Sequence, residues 1–232
     1  MTMISTGSKA LDALLGGGVR TGMVTDVYGE AGSGKSQLCF TLCANSAKNG
    51  SRAIFVDTSG TFRPERIVEI AGSPGVLDRI TFVRVLTTYD QRSAVKEIAD
   101  IGPQLVVVDS VTSLFSAEYS GPARHLAVMK HLHELALAAI NTDCAVVVTN
   151  MVRNTPITVV DQAGRNIAKA VVPSQQREYL GSSVSIYSHV KLKLEIIDAA
   201  KSLFRATLVQ PAGKQQLAPY AITLRGISDI FY

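Results

Sequence analysis

The residues best suited to chemistry in this chain lie in one glycine-rich run that fits the pattern G-x-x-x-x-G-K-[ST] in full. The apolar stretch Met23–Tyr28, predicted as a strand, precedes the run, and a predicted helix follows it. Glycines let a backbone turn its N–H groups towards phosphate oxygens, and a helix N-terminus adds the positive end of its dipole. We therefore predict that the run binds the phosphates of a nucleotide, through Gly29, Glu30, Ala31, Gly32, Ser33, Gly34, Lys35, Ser36 and Gln37.

Three polar side chains are predicted to act on the phosphates and their metal ion. Lys35 would place its ammonium against the β- and γ-phosphates, and the Ser36 hydroxyl would be a ligand of Mg²⁺. Asp109 ends the apolar stretch Leu105–Asp109, and a carboxylate there lies at the edge of the sheet where such folds bind ligands. Asp57 ends another strand, where a capping role and a metal role are both open. The predicted cofactors are ATP and Mg²⁺, with Ser36 and Asp109 as the metal ligands.

Apolar stretches and helical stretches alternate as far as Asn150. The strands are apolar throughout rather than at every second residue, which indicates a parallel sheet covered by helices on both faces. The predicted strands are Met23–Tyr28, Ala53–Asp57, Ile80–Leu86, Leu105–Asp109 and Ala145–Asn150, and the predicted helices are Lys35–Ala47, Pro64–Ala71, Asp90–Asp100 and Ala123–Ile140.

The pattern then changes to sequential strands with short turns, which predict an antiparallel extension of the sheet. These strands are Val184–Ile197, Ser202–Val209 and Tyr220–Leu224. The segment Arg153–Tyr179 has no clear periodicity, and a loop of that length is usually functional or disordered. The sequence thus predicts one α/β domain, 1–232, with a mainly parallel central sheet, flanking helices and C-terminal antiparallel strands.

Composition and charge restrict the kind of protein. Hydrophobic residues make up 47% of the 232 residues, enough for one large core, and no apolar run approaches the roughly 20 residues that span a bilayer. The formal net charge of +4 is compatible with a nucleic-acid partner without requiring one. The three cysteines, Cys39, Cys43 and Cys144, are predicted to pack in the core of a protein that resides in a reducing compartment, inside the cell.

Four strings of residues carry a family resemblance. Ser5–Asp12, Leu15–Gly18, Gly60–Arg66 and Asp109–Ser113 resemble the core of the RecA/RadA recombinases, and the third string is typical of the RadA branch. The resemblance implies a RecA-type P-loop ATPase core; proteins of this family form ATP-dependent filaments on single-stranded DNA and exchange strands. It also implies a chain that begins at the core, without the family's N-terminal helical DNA-binding domain, as in the RadB-type paralogue. A shortened piece of a longer recombinase would look the same.

The resemblance assigns roles to single residues, and two of these residues depart from the family pattern. Arg66 is implied to stack on the adenine ring. Ser59 stands where active members have the glutamate that orients the attacking water, and Met151 stands where they have the glutamine that senses the γ-phosphate. A hydroxyl is a poor base at neutral pH, and a thioether cannot donate a hydrogen bond. We therefore expect ATP binding with slow turnover, unless a neighbour such as Glu30 or Glu65 compensates.

Two loops hold single-stranded DNA in the family, and both are altered in this sequence. The first would lie around Glu118–Arg124, where Pro122 replaces the usual arginine; the second would be Arg153–Tyr179, which contains no Phe or Trp to stack on bases. A merely solvated second loop is the alternative. The implied DNA-binding residues are Arg124, Arg153, Arg165, Lys169 and Arg177.

Three functions are compatible with these features. The first is an ATP-binding recombinase paralogue that binds single-stranded DNA and assists a full-length RadA-type recombinase in recombination and DNA repair. The second is an active DNA-dependent ATPase or strand-exchange core. The third is a protein-interaction module whose ATP site is structural. With the first function, we expect the protein to associate with the nucleoid inside the cell. A homo-oligomer is compatible with this function.

Overall fold

The computed structural model describes residues 2–160, 166–211 and 216–230, with the backbone alone described for 154–160 and 166–176. The helices and strands follow one another with short connections, and a 3₁₀ turn, Pro74–Arg79, lies between α3 and β5. In chain order the elements are β1 (Met3–Ile4), α1 (Lys9–Leu14), β2 (Val19–Arg20), β3 (Val24–Gly29), α2 (Lys35–Lys48), β4 (Ala53–Asp57), α3 (Pro64–Ala71), β5 (Ile80–Arg84), α4 (Thr88–Ser93), α5 (Glu97–Ile101), β6 (Leu105–Asp109), α6 (Ser113–Glu118), α7 (Gly121–Thr142), β7 (Ala145–Val160), β8 (Asn166–Glu178), α8 (Gly181–Ser185), β9 (Val190–Asp198), β10 (Leu203–Gln210), β11 (Gln216–Thr223) and β12 (Gly226–Ser228).

One large sheet forms the centre of the protein. The strands β3, β7, β6, β4 and β5 lie side by side in parallel, and β9 pairs with β3 in the same direction. The strands β10, β11 and β12 continue the sheet in antiparallel order. The strand order is β12-β11-β10-β9-β3-β7-β6-β4-β5, with β8 paired to β7. The predicted α/β fold, with its parallel centre and antiparallel C-terminal strands, is confirmed.

Helices cover both faces of the sheet because the central strands are apolar on both sides. In β6, Leu105 and Val107 pack into one core cluster, while Val106 and Val108 pack into the other. Helices α2 and α3 contribute to the first cluster, and α5 and α7 contribute to the second. The three cysteines are buried free thiols, as predicted for core packing. Within the described ranges, no helix is long and apolar enough to cross a membrane.

The prediction that Arg153–Tyr179 is a loop is wrong for most of its length. The strand β7 continues to Val160 and pairs with β8 in an antiparallel hairpin, from Val152 opposite Glu178 to Val160 opposite Asn166. The segment is rich in β-branched residues, which favour strands. Its many amide and hydroxyl side chains are typical of loops, and they led to the wrong prediction. Positions 161–165, between the two strands, lie outside the described residues.

Two further element predictions are also corrected. The helix predicted over Asp90–Asp100 is two short helices, because the N–H groups of residues 95 and 96 donate to carbonyls three residues back, in a tighter turn than an α-helix makes. The strand predicted over Val184–Ile197 begins only at Val190, and the short helix α8 precedes it. That helix buries Ser183 and Val184 among the helices on one face of the sheet.

Candidate functional site

The glycine-rich run connects the end of β3 to the start of α2, where a sharp turn brings the backbone close to β9. A Cβ atom at Gly29 would lie 2.2 Å from the Leu194 carbonyl oxygen, so this position has no room for a side chain. Gly34 has a φ of +90°, in the left-handed region that glycine adopts without strain. The run therefore forms a tight loop that ends at the N-terminus of α2, as the phosphate-binding motif requires.

Three predicted side chains of the phosphate site meet at this loop. The Lys35 ammonium donates to the carbonyl oxygens of Gly29 (2.9 Å) and Glu30 (2.7 Å). The Ser36 hydroxyl donates to one carboxylate oxygen of Asp109 over 2.6 Å, and the Thr149 hydroxyl donates to the other. Burial lowers the pKa of Lys35, and the nearby Asp109 carboxylate opposes this shift. The structure thus brings Ser36 and Asp109 into contact, and their role as metal ligands stays a prediction.

The chemistry of this pair fits a magnesium ion bound together with a nucleotide. Mg²⁺ is commonly held by one or two protein oxygens, with phosphates and water completing its shell. In the part of the chain that the structure describes, no group of three or more His, Cys, Asp or Glu side chains could hold a metal by itself. A hydroxyl and a carboxylate in contact therefore form a partial site that a phosphate-bound metal would complete.

A cavity of about 190 Å³ opens at the phosphate loop. A larger cavity of about 460 Å³ lies elsewhere, at the amino ends of β3 and β9, and it contacts none of the predicted site residues. The larger volume does not mark the phosphate site, which is distinguished by its polar groups. The smaller cavity is lined by Gly32, Gly34, Lys35, Ser36, Gln37 and Ile222.

The buried Tyr220 of β11 supports the phosphate loop from the antiparallel strands. Its hydroxyl donates to the Ser33 carbonyl oxygen over 2.7 Å, and burial raises the pKa of this phenol, so that it stays protonated. We expect Tyr220→Phe to lower the free energy of unfolding by about 0.5–1.5 kcal/mol, the usual net value of one hydrogen bond. Urea unfolding checks this, with Tyr89→Phe as the control because Tyr89 is 77% exposed. An equal loss in both variants would contradict the supporting role.

Arg66 lies beside the phosphate loop, but its contacts in the structure are with protein groups. Its Nε donates to the Gln37 side-chain oxygen over 2.9 Å, which joins α3 to α2. Its terminal nitrogens donate to the carbonyl oxygens of Thr223 and Leu224 and pair with Glu69. The structure therefore brings together Arg66 and Gln37, which were each predicted to bind the nucleotide, and stacking on adenine stays a prediction.

The Asp57 carboxylate organises the loop that follows β4. Its Oδ1 accepts the N–H groups of Ser59 (2.9 Å), Gly60 (2.7 Å) and Thr61 (3.3 Å), while its Oδ2 accepts that of Phe62 (3.1 Å). These bonds hold the loop before α3 rather than the end of that helix, whose N-cap is Arg63, and the metal role of Asp57 stays a prediction. The Ser59 hydroxyl, held by this loop, donates to the Asp109 carbonyl oxygen over 3.4 Å.

Met151 lies on the other side of the phosphate loop. It is opposite Gly29 in the parallel register of β3 and β7, and the residue is 37% exposed. Its own N–H donates to the side-chain oxygen of Asn150 over 2.9 Å. The residues that stand in place of the family's glutamate and glutamine are therefore both close to the phosphate site, one at the Asp109 side and one at the Gly29 side.

A buried charge cluster joins the base of the β7–β8 hairpin to β3. The Lys191 ammonium lies 3.0 Å from Asp26, donates to the Ser185 hydroxyl over 2.9 Å and pairs with Glu178. Asn150 donates to the other oxygen of Glu178 over 3.0 Å. Burial raises the pKa of Asp26 well above its usual range, and the Glu178 carboxylate raises it further. This cluster was not predicted from the sequence, although Asp26, a charged residue in a strand that is buried along its whole length, is the signal that could have revealed it.

Two of the predicted DNA-binding arginines converge on Tyr179, at the end of β8. The Arg124 guanidinium donates to the Tyr179 hydroxyl over 2.8 Å, and the Arg153 guanidinium lies 3.7 Å from the centre of the ring. Arg177 is exposed and lies opposite Arg153 in the hairpin register. The remaining candidates are Lys169, which lies in β8 with only its backbone described, and Arg165, which lies outside the described residues.

Comparison with protein families agrees with this arrangement. The family model described as Rad51 matches residues 1–171. The chain belongs to the Rad51 family. The match includes the phosphate loop, the loop after β4 and Asp109, and it ends within β8 of the hairpin. The Rad51-family chain therefore has the RecA/RadA-type ATPase core that its motifs predicted.

Three curated relatives of this Rad51-family chain are named DNA repair and recombination protein RadA. The relative from Metallosphaera sedula is 43% identical over an alignment of 173 residues, and the alignment covers 66% of this chain and 53% of the relative. Those from Ignicoccus hospitalis and Cenarchaeum symbiosum are 41% identical over 177 residues and 39% identical over 173 residues. Each alignment covers 66% of this chain, and 54% and 44% of these two relatives. The chain thus spans about half the length of the curated relatives it matches.

Proposed function

We propose that this chain is an ATP-binding recombinase paralogue of the RadB type, which binds single-stranded DNA and assists a full-length recombinase in recombination and repair. The observation that carries the proposal is the contact between the Ser36 hydroxyl and the Asp109 carboxylate behind a complete phosphate loop. This contact supports the proposal, because a hydroxyl and a carboxylate are the two protein oxygens that would hold the magnesium of a magnesium–nucleotide complex. Relatives named DNA repair and recombination protein RadA support the recombination role.

The phosphate loop would bind ATP through its backbone N–H groups and the Lys35 ammonium. Ser36 and Asp109 would hold Mg²⁺, which neutralises charge on the phosphates when it is bound. Lys35 would exchange its two carbonyl acceptors, Gly29 and Glu30, for phosphate oxygens. Because a partly desolvated ammonium attracts an anion more strongly than a solvated one does, its burial favours this exchange.

Slow turnover is proposed because neither residue near the reacting phosphate can do the expected chemistry. Ser59 presents a hydroxyl where a carboxylate would orient the attacking water, and such a base contributes about 10²–10⁴ in rate. Met151 presents a thioether, which cannot donate to a phosphate oxygen. Since the phosphate loop is intact, these two changes affect hydrolysis more than binding. The nucleotide would then act as a structural switch.

DNA binding is proposed to involve the hairpin and the start of α7. Arg153 and Arg177 are both exposed and lie opposite one another, and Arg124 projects from α7 to the same tyrosine that Arg153 covers. Like charges opposite one another on a sheet repel, and an anion between them relieves the repulsion. These arginines therefore suit the phosphates of a nucleic-acid strand.

The test is steady-state ATP hydrolysis with and without single-stranded DNA, together with separate ATP-binding and DNA-binding measurements. We expect ATP binding that is lost in Lys35→Ala, and turnover close to the background of that variant. We expect the logarithm of the DNA association constant to fall linearly with the logarithm of the salt concentration. The slope should steepen by about 0.7 for each phosphate contacted. Turnover that rises strongly with DNA and vanishes in Lys35→Ala would instead identify an active DNA-dependent ATPase.

The same measurements distinguish the third function, a protein-interaction module, from the other two. ATP-dependent association with a RadA-type recombinase in the absence of DNA affinity would identify a protein-interaction module whose ATP site is structural. DNA binding without turnover, and a mass in solution that changes with ATP, would support the paralogue and would show whether it forms homo-oligomers. The orientation of Arg153 over Tyr179 favours DNA contact.

A further inference from the structure

Arg153 has a defined contact with a neighbouring aromatic ring, which a fully solvated cation would lack. Its guanidinium lies over the Tyr179 ring, 3.7 Å from the ring centre, while the residue as a whole is exposed. A guanidinium is planar and has two faces. One face of Arg153 is covered by the tyrosine, and the other is turned away from it.

Tyr179 itself is held in place from several directions. Its N–H donates to the Met151 carbonyl oxygen over 2.8 Å, and its own carbonyl oxygen accepts from the Asn150 side chain over 2.7 Å. Its hydroxyl accepts from Arg124 over 2.8 Å, and the residue is 8% exposed. The ring is therefore a fixed support, and contact with it restricts the guanidinium above it, so that less entropy is lost on binding.

We propose that the outer face of the Arg153 guanidinium is a stacking platform for one base of single-stranded nucleic acid. This inference rests on the proposed DNA-binding function and names the contact within it. Arginine planes stack on nucleobases, and stacking of this kind is tolerant of sequence because each base has a π-face. The tyrosine, the guanidinium and the base would form a stack of three planes.

The cross-strand neighbour of Arg153 supports a nucleotide as the occupant. Arg177 lies opposite Arg153, and both are exposed, so two positive charges face the same space. A phosphate beside the stacked base would bind between them, since the edge N–H groups of a stacked guanidinium stay free to donate. A nucleotide therefore suits this surface, because its base would stack on Arg153 while its phosphate lies beside Arg177. A phosphate alone would leave the outer face of Arg153 unused.

The test measures binding of oligothymidylate and of the same strand with abasic residues in place of thymidines. Arg153→Lys keeps the positive charge but replaces the planar guanidinium with an ammonium. Arg177→Lys makes the same change on the paired strand and is the matched control. We expect the wild-type protein to bind the intact strand at least about fivefold more tightly than the abasic one. We expect Arg153→Lys to lose most of this preference with an unchanged salt slope, and Arg177→Lys to keep the preference whatever its overall affinity.

The outcomes distinguish this inference from the function on which it rests. If the wild-type protein binds both strands equally, or if Arg153→Lys and Arg177→Lys keep the same preference for the intact strand, the platform is overturned and DNA binding stands. If the wild-type protein binds neither strand at low salt, the proposed DNA-binding function fails and the platform fails with it. A 2-aminopurine base in the strand supports the platform if its fluorescence is quenched on binding to the wild-type protein and less so with Arg153→Lys.

Discussion

The double substitution Ser59→Glu with Met151→Gln is expected to raise the rate of ATP hydrolysis by about 10²–10⁴, the usual contribution of a positioned base. The loop that carries Ser59 is already fixed by the Asp57 carboxylate, and its hydroxyl already reaches the Asp109 main chain. A glutamate at this position would extend from a held backbone towards Ser36 and Asp109, the proposed metal ligands. The glutamine would lie opposite Gly29 and supply a donor that methionine lacks. Steady-state hydrolysis with and without single-stranded DNA measures the effect.

Matched controls separate the restored base from a general change in the site. Ser59→Gln has nearly the shape of glutamate without its charge, and it is expected to leave the rate near that of the wild-type protein. Adding Lys35→Ala to the double variant is expected to abolish the gain, because the phosphates are then not held. A double variant with intact ATP binding and no faster hydrolysis would show that activation of water is not what limits this chain.

The phosphate site was predictable because its signal is local. The residues Gly29–Ser36 are contiguous, and their chemistry requires a strand before them and a helix after them. Asp109 was predictable because it ends a run of apolar residues that only a buried strand explains. In both cases the position of the side chain follows from one element and its boundary. The structure adds the contact between Ser36 and Asp109.

The hairpin and the groups at its base were not predictable in the same way, because they depend on contacts between distant residues. Tyr179 becomes a support only when β8 brings it beside Arg153 and α7 brings Arg124 to its hydroxyl. The cluster around Lys191 requires β3, β9 and the end of β8 to be neighbours. The order of strands in a sheet is not written in the local pattern of any one strand. A charge within an apolar strand shows only that a partner must exist.

The substitution Lys191→Met is expected to lower the free energy of unfolding by about 3–5 kcal/mol, the usual cost of removing one member of a buried ion pair. Lys191 is 3% exposed and pairs with Asp26 and Glu178, so methionine leaves both carboxyl groups in a buried space without a cation. Urea unfolding at neutral pH measures the loss. The double variant Asp26→Asn with Lys191→Met is expected to recover part of it, because an amide at position 26 needs neither a proton nor a cation.

The pH dependence of this loss tests whether charge rather than packing is responsible. The pKa of Asp26 is raised in the folded protein by burial and by Glu178, and Lys191 opposes the rise. A carboxyl with a raised folded pKa binds its proton more tightly in the folded state, so stability falls as pH rises from the unfolded pKa through the folded pKa. Without Lys191 the folded pKa rises further, and the fall extends to higher pH. The deficit of Lys191→Met relative to the wild-type protein should therefore grow as pH rises through the folded pKa of Asp26 in the wild-type protein. A deficit that stays constant from acid to alkaline pH would mean that methionine disturbs packing alone, and that the ammonium does not stabilise the carboxylate of Asp26.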